Sequence, residues 1–287
     1  MNVATITDIF RTIFGYGFLF RAMLVGVLIS VCAALLGVSL VLRRCSMIGD
    51  GLSHVGFGAL AVAAAFGATE LWIALPVVII VAFLIIRLSD NSKITGDSAI
   101  ALLSSGALAL GVLTVSVTGA NKNLNDYLFG SVFALGNVDA VISIVLSAIV
   151  LTLFVLFYNK IFAVTFDAPF ARATGTHGGF YNTFIALLTA VTVVVGMRLV
   201  GALLVTSLII FPPLTAMRVC KKFKSVVICS GVLSALSFII GMMISLGVES
   251  APVGASVVMV NAAFFLIFLG AGKLRSVIGA RSRRGQS

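Results

Sequence analysis

Apolar runs of about 18 to 25 residues, broken by short polar or basic stretches, fill most of the chain, and runs of that length cross a bilayer as helices. The first runs from 18 to 42 with one cation, Arg21, near its start. Others cover 48–66, 71–88, 98–118 and 138–158. The run from 180 to 217 is too long for one crossing, and Gly196-Met197-Arg198 near its middle predicts a tight turn between two spans. Two more runs, 226–248 and 254–271, complete a set of nine. Left unsplit, the long run would make eight. Ahead of them, Ile6, Ile9, Phe10, Ile13 and Phe14 recur at helical spacing, with Thr7, Asp8 and Arg11 between. That pattern predicts an amphipathic segment over 1–17 lying at the interface.

Composition agrees. Hydrophobic residues make up 61% of the chain and charged ones 10%, and the mean hydropathy is +1.23. This balance excludes a soluble domain and predicts an all-α polytopic membrane protein with 8–9 spans. The net charge of +10 is read as the cytoplasmic bias of membrane proteins, not as a nucleic-acid surface. With the C-terminus inside, only Arg11, Arg21, Lys122 and Arg198 fall outside, and the other 15 of the 19 Lys and Arg fall inside. The expected organisation is an interfacial segment (1–17), one membrane domain (18–272) and a basic cytoplasmic tail (273–287). Met1 to Phe20 lacks the charge pattern of a cleaved leader. Cys32, Cys45, Cys220 and Cys229 show no paired or Cys-x-x-Cys spacing, and disulfides are not expected.

The densest chemistry lies in Arg43-Arg44-Cys45-Ser46-Met47-Ile48-Gly49-Asp50-Gly51-Leu52-Ser53-His54. Asp50 and His54 are spaced i, i+4, so a helix over 48–66 puts both on one face, one turn apart. An acid and an imidazole inside a span are costly without compensation. A divalent metal ion compensates both, and carboxylate oxygen with neutral imidazole nitrogen suits manganese, zinc or iron(II). Two plainer readings stand beside it: Asp50 as a helix N-cap, and His54 as a hydrogen-bonded histidine between packed helices. Asp97, Asp126, Asp139, Asp167 and Glu249 all fall at span ends or in loops. Asp50 follows Arg44 closely, which places the pair nearer the cytoplasm than the midplane.

Two segments between spans are distinctive. Residues 119–137 lie outside and carry Asn125-Asp126-Tyr127-Leu128-Phe129-Gly130-Ser131, too apolar for a plain loop. Residues 160–179 lie inside and carry Phe166-Asp167-Ala168-Pro169-Phe170-Ala171-Arg172-Ala173-Thr174-Gly175. There Asp167 reads as an N-cap, Pro169 as a first-turn residue and Gly175 as a stop, which predicts a short surface helix. Phe166 and Phe170, four apart, share a face, and Arg172 lies on another.

The basic pair with Ile-Gly-Asp-Gly-Leu-Ser-His, then Tyr-Leu-Phe-Gly-Ser, then Phe-Asp-Ala-Pro-Phe-Ala-Arg-Ala-Thr-Gly, occur in one order. Val200-Gly201-Ala202-Leu203-Leu204-Val205 and Ile209-Ile210-Phe211-Pro212-Pro213 follow. On these motifs, from about 18 to 271, the chain resembles the permease subunits of bacterial ABC importers for zinc, manganese and iron. The resemblance implies a type II importer-like membrane domain, working as a homodimer in the cell membrane. It implies two cytoplasmic ATP-binding subunits and an extracytoplasmic metal-binding protein as partners. It places Asp50 and His54 on the metal path, and Phe166, Asp167, Phe170 and Arg172 in the segment that docks on the ATPase. The metal is cargo, and no permanent cofactor is implied. The Pro212-Pro213 pair departs from the family's more usual single proline.

The residues add their own constraint. No Gly-x-x-x-x-Gly-Lys-Ser/Thr occurs, so nucleotide phosphates have no P-loop here and ATP hydrolysis falls to a partner. A two-fold axis would bring two Asp50 and two His54 together as four ligands. The rivals are an ion-coupled secondary transporter, which needs more carboxylates within spans, and a membrane scaffold, which leaves Asp50 and His54 without a purpose.

Overall fold

The computed structural model describes residues 15–67, 70–91, 95–118, 130, 136–166, 178–248 and 251–284. The described elements are helices. They are α1 (Gly17–Leu42), α2 (Met47–Ala65), α3 (Glu70–Asn91), α4 (Gly96–Thr118) and α5 (Asn137–Leu156), followed by α6 (Tyr158–Phe166), α7 (Gly178–Val200), α8 (Ala202–Val219), α9 (Phe223–Gly247) and α10 (Val253–Arg284). Eight have the length and hydropathy to cross a membrane, and α3 adds a shorter apolar stretch, Trp72–Leu88. The all-α class and the expected 8–9 spans are what the chain forms, because a helix bonds its own backbone groups where lipid offers no partner.

The last helix, α10, runs on to Arg284, past the expected end of its span at 271, and two boundaries further in also differ from expectation. The turn predicted at Gly196-Met197-Arg198 does not form there: α7 runs through all three residues to Val200. The break falls at Gly201, with φ 92° and ψ 152°, a conformation that residues with a Cβ adopt only under strain. Arg198 misled because its charge suggested water. Instead its Nη1 lies 3.0 Å from Oδ1 of Asp139 on α5, so the cation is matched without a turn. Gly196 serves packing: a Cβ there would meet Val205 Cγ2 at 2.6 Å. The second difference is at 158, where the expected fifth span ends. α5 stops at Leu156, and α6 carries the chain on as a separate helix of 9 residues.

α1 is the central post, packed against α5, α7, α8 and α9. α2, α3 and α4 form one flank, held on by α7, and α8, α9 and α10 form the other. Small residues let backbones close up: a Cβ on Gly26 of α1 would fall 1.9 Å from Phe238 Cζ on α9. Buried hydroxyls bond back to their own helices, as Ser30 Oγ to Gly26 O (2.6 Å) and Thr189 Oγ1 to Ile185 O (2.7 Å) do. Across their most apolar stretches α2 and α7 are each 72% buried, against 11% for α4. One face of the bundle is thus left open along α4.

The connection from α1 to α2 is built from the basic pair. Arg44 takes φ 59°, its N–H bonds Val41 O at 3.1 Å, and the Cys45 N–H bonds Leu40 O at 2.9 Å. This pairing closes the last turn of α1 and sends the chain straight into α2.

Candidate metal centre

α2 begins behind Ser46 as N-cap and carries Asp50 in its first turn. The positive end of the helix dipole favours a carboxylate there. Asp50 is not the cap, so the N-cap reading fails: the carboxylate turns to His54 instead, with Oδ2 3.6 Å from Nε2. That separation is too long for a hydrogen bond. Two ligands each about 2.1 Å from a tetrahedral cation stand about 3.4 Å apart, close to the spacing of this pair. The i, i+4 geometry read from the sequence is present.

The pair opens into a cleft of about 370 Å³ between α2 and α4. α2 supplies Met47, Asp50 and His54, and α4 supplies Asp97, Ile100, Ala101, Ser104, Ser105 and Leu108. Glycines set how closely the two helices approach. A Cβ on Gly51 would lie 2.4 Å from Ile100 Cγ2, and one on Gly58 would lie 2.3 Å from the Ala107 carbonyl oxygen. Asp97, Ser104 and Ser105 are wall residues that sequence reasoning left without a role. Their signal was present: 97, 101, 104, 105 and 108 fall on one helical face, polar at three positions of an otherwise apolar span.

Among the described residues no group of three or more His, Cys, Asp or Glu side chains is gathered to hold a metal. The Asp50 side chain is 46% exposed and that of His54 35%.

The other sequence-predicted site residues lie elsewhere. Phe166 ends α6, exposed, with its ring edge-on to Phe223 at 5.7 Å. Asp167, Phe170 and Arg172 lie outside the described residues, as does most of the 119–137 segment. From that segment Gly130 is described, at φ 71°. A Cβ on it would fall 2.2 Å from the Val200 carbonyl carbon, so it sits directly against the α7–α8 break.

Comparison with known proteins gives one consistent picture. The sequence profile of the ABC 3 transport family matches residues 15–271. The manganese import system permease protein ScaB of Streptococcus gordonii is 29% identical over 262 residues, covering 91% of this chain and 94% of that protein. The high-affinity zinc uptake system membrane protein ZnuB of Haemophilus influenzae is 32% identical over 253 residues, covering 88% and 96%. Among solved structures, PsaBC from Streptococcus pneumoniae in complex with Fab superposes with a TM-score of 0.82 at 28% identity. The match covers 92% of this chain and 95% of that one.

Proposed function

The chain belongs to the ABC 3 transport family, and on that premise we propose that it is the membrane permease subunit of an ATP-driven importer of divalent transition-metal ions, zinc, manganese or iron. The observation that carries the metal reading is the Asp50–His54 pair, 3.6 Å apart and facing a cleft within a span. The relatives' names span manganese and zinc, and an oxygen–nitrogen donor pair suits both. The sequence has no P-loop, and in this reading ATP hydrolysis belongs to cytoplasmic ATPase subunits. An extracytoplasmic metal-binding protein delivers the cargo.

The working unit is a homodimer. The exposed flank of α4 and the open Asp50–His54 pair are covered together when a second copy packs there, and its pair completes a four-donor site. The protein sits in a bacterial inner membrane with its N-terminus outside and C-terminus inside. Residues 160–179 form the contact with the ATPase, 1–17 lie at the interface and 273–287 form a basic tail.

The test is uptake of radioactive manganese or zinc by cells lacking their other importers. Asp50→Asn and His54→Ala should each lower uptake by more than the about 100-fold that outer partners of a metal ligand can cost, with dimer assembly intact. Wild-type uptake by either variant would remove the pair from the path.

A further inference from the structure

An open groove of about 600 Å³ runs along α9, where it meets α1 and the junction of α5 with α6. Gly231 deepens it. A Cβ built there would meet only Leu35 Cδ2 at 3.7 Å and Val31 Cγ1 at 3.8 Å, both from α1, so the space over the glycine is left free. Val155, Ile228 and Val232 on the rims are exposed. None of the residues lining the groove lines the Asp50–His54 cleft.

The groove is chemically asymmetric. From Val227 to Ala235 its α9 wall is apolar, and its polar lining residues, Tyr158, Asn159 and Lys224, all lie where α6 and α9 begin. The Tyr158 and Phe223 rings, with centroids 5.5 Å apart, bring those two starts together. Lys160 and Lys222, each within two residues of that ring contact, are exposed, as Lys224 is. No carboxylate is among the lining residues. From Lys224 to Ala235 the α9 wall is roughly 16 Å long at 1.5 Å per residue, close to half of a hydrocarbon core about 30 Å thick. The groove is therefore one leaflet deep, apolar along its length and basic at its mouth.

We infer that this groove is a binding site for one phospholipid with an anionic headgroup, its acyl chain laid along α9 and its phosphate held at Lys224. The Tyr158 hydroxyl and the Asn159 amide are further donors for phosphate oxygens at the same mouth. A lysine at headgroup level attracts an anionic lipid and leaves a zwitterionic one without that gain. Tyr158 belongs both to the groove and to the ring contact with Phe223, so a seated lipid also braces the start of α6 against α9. The orientation proposed above makes it a lipid of the inner leaflet; the site itself does not depend on what the protein transports.

The experiment uses the full-length protein with Trp72, its one tryptophan, replaced by Phe and with Val232→Trp as a fluorescent reporter on the groove rim. The protein is reconstituted in phosphatidylcholine vesicles, and quenching by brominated phosphatidylglycerol is compared with quenching by brominated phosphatidylcholine. The anionic lipid should bind at this reporter roughly fivefold more tightly than the zwitterionic one, the worth of about one lysine at the headgroup. Lys224→Gln should bring the ratio close to one, and so should Ala235→Phe, which fills the groove and leaves the lysine in place. A separate reporter, Ile149→Trp, stands exposed on α5 outside the groove and should show no preference in any background. If Val232→Trp does not assemble, Ile228→Trp on the same rim replaces it. Equal affinity for the two lipids at the groove reporter overturns the inference, leaving only ordinary boundary lipid. A preference that survives both Lys224→Gln and Ala235→Phe, or that is equal at Ile149→Trp, overturns it as well, since a general attraction to a basic protein would produce that. Quenching by neither lipid would mean that another protein surface covers the groove, and also overturns it. The readout needs neither metal nor ATP, so a failure of the importer reading shows in uptake and leaves this result unchanged.

Discussion

A Cβ built on Gly37 of α1 would fall 2.1 Å from the carbonyl oxygen of Ile209 on α8. The reason lies four residues further along α8. Pro213 has no N–H, so the Ile209 carbonyl lacks the helical partner it would otherwise have. Pro212 does the same to Leu208. In a bilayer such freed carbonyls must lie against protein. Gly37 lets the α1 backbone close over this one, and the double proline is accommodated without a break in α8. Gly37→Ala should destabilise the protein by about 1–3 kcal/mol through overpacking. Unfolding of the purified protein in mixed detergent micelles measures this. Gly231→Ala is the control: its nearest neighbour would be Leu35 Cδ2 at 3.7 Å, an ordinary contact, and its stability should not fall.

The Arg198–Asp139 pair ties the last turn of α7 to the first turn of α5, next to the Gly201 break. Both side chains are about a third exposed (32% and 30%), so screening is partial. A double-mutant cycle with Arg198→Ala and Asp139→Ala should give a coupling of about 1 kcal/mol, above the few tenths expected of a fully exposed pair. A coupling indistinguishable from zero would show that the two charges are held by their helices and not by each other.

What could be read from the sequence followed from periodicity and composition. Span number, the all-α class and the shared face of Asp50 and His54 depend only on local spacing. The α7–α8 break was misplaced because Arg198 is compensated by Asp139, a partner 59 residues away in sequence that spacing cannot reveal. The break itself depends on the backbone angles of Gly201, and other glycines here, such as Gly26 and Gly196, serve packing and not turns. Asp97 was passed over for a related reason. As a lone acid at a span end it looks solvated, and its position on the wall of the Asp50–His54 cleft exists only once α4 packs on α2.

Orientation is testable without function. The Arg21 guanidinium donates to the Asn137 side-chain oxygen, joining the start of α1 to the start of α5, as the nine-span topology requires of two outer ends. The charge bias predicts that this end lies outside. A reporter fused after Ser287 should read cytoplasmic, and a cysteine at Asn123 should react with an impermeant external thiol reagent. Labelling only after the membrane is opened would reverse every side assignment.

Coupling to the ATPase is expected through the segment that follows α6. Tyr158, Phe162 and Phe166 on α6 pack against Phe223 at the start of α9, tilted or edge-on, with ring centroids 5.5, 5.1 and 5.7 Å apart. This aromatic cluster gives α6 a firm seat on the bundle, so a push received beyond Phe166 would reach α9. Phe166 is 59% exposed, and its i+4 neighbour Phe170 extends the same apolar face if the helix expected over 167–175 forms. Such a face suits a cleft on a partner. Phe170→Asp would place an unpaired charge in that contact, which costs roughly 2 kcal/mol or more when buried. The variant should be made and inserted normally, because the segment lies between spans. It should lose capture of the ATPase subunit in a pull-down, or keep capture and lose metal uptake while hydrolysis continues. Normal capture together with normal uptake would reduce the segment to a connecting loop and move the coupling contact elsewhere on the cytoplasmic face.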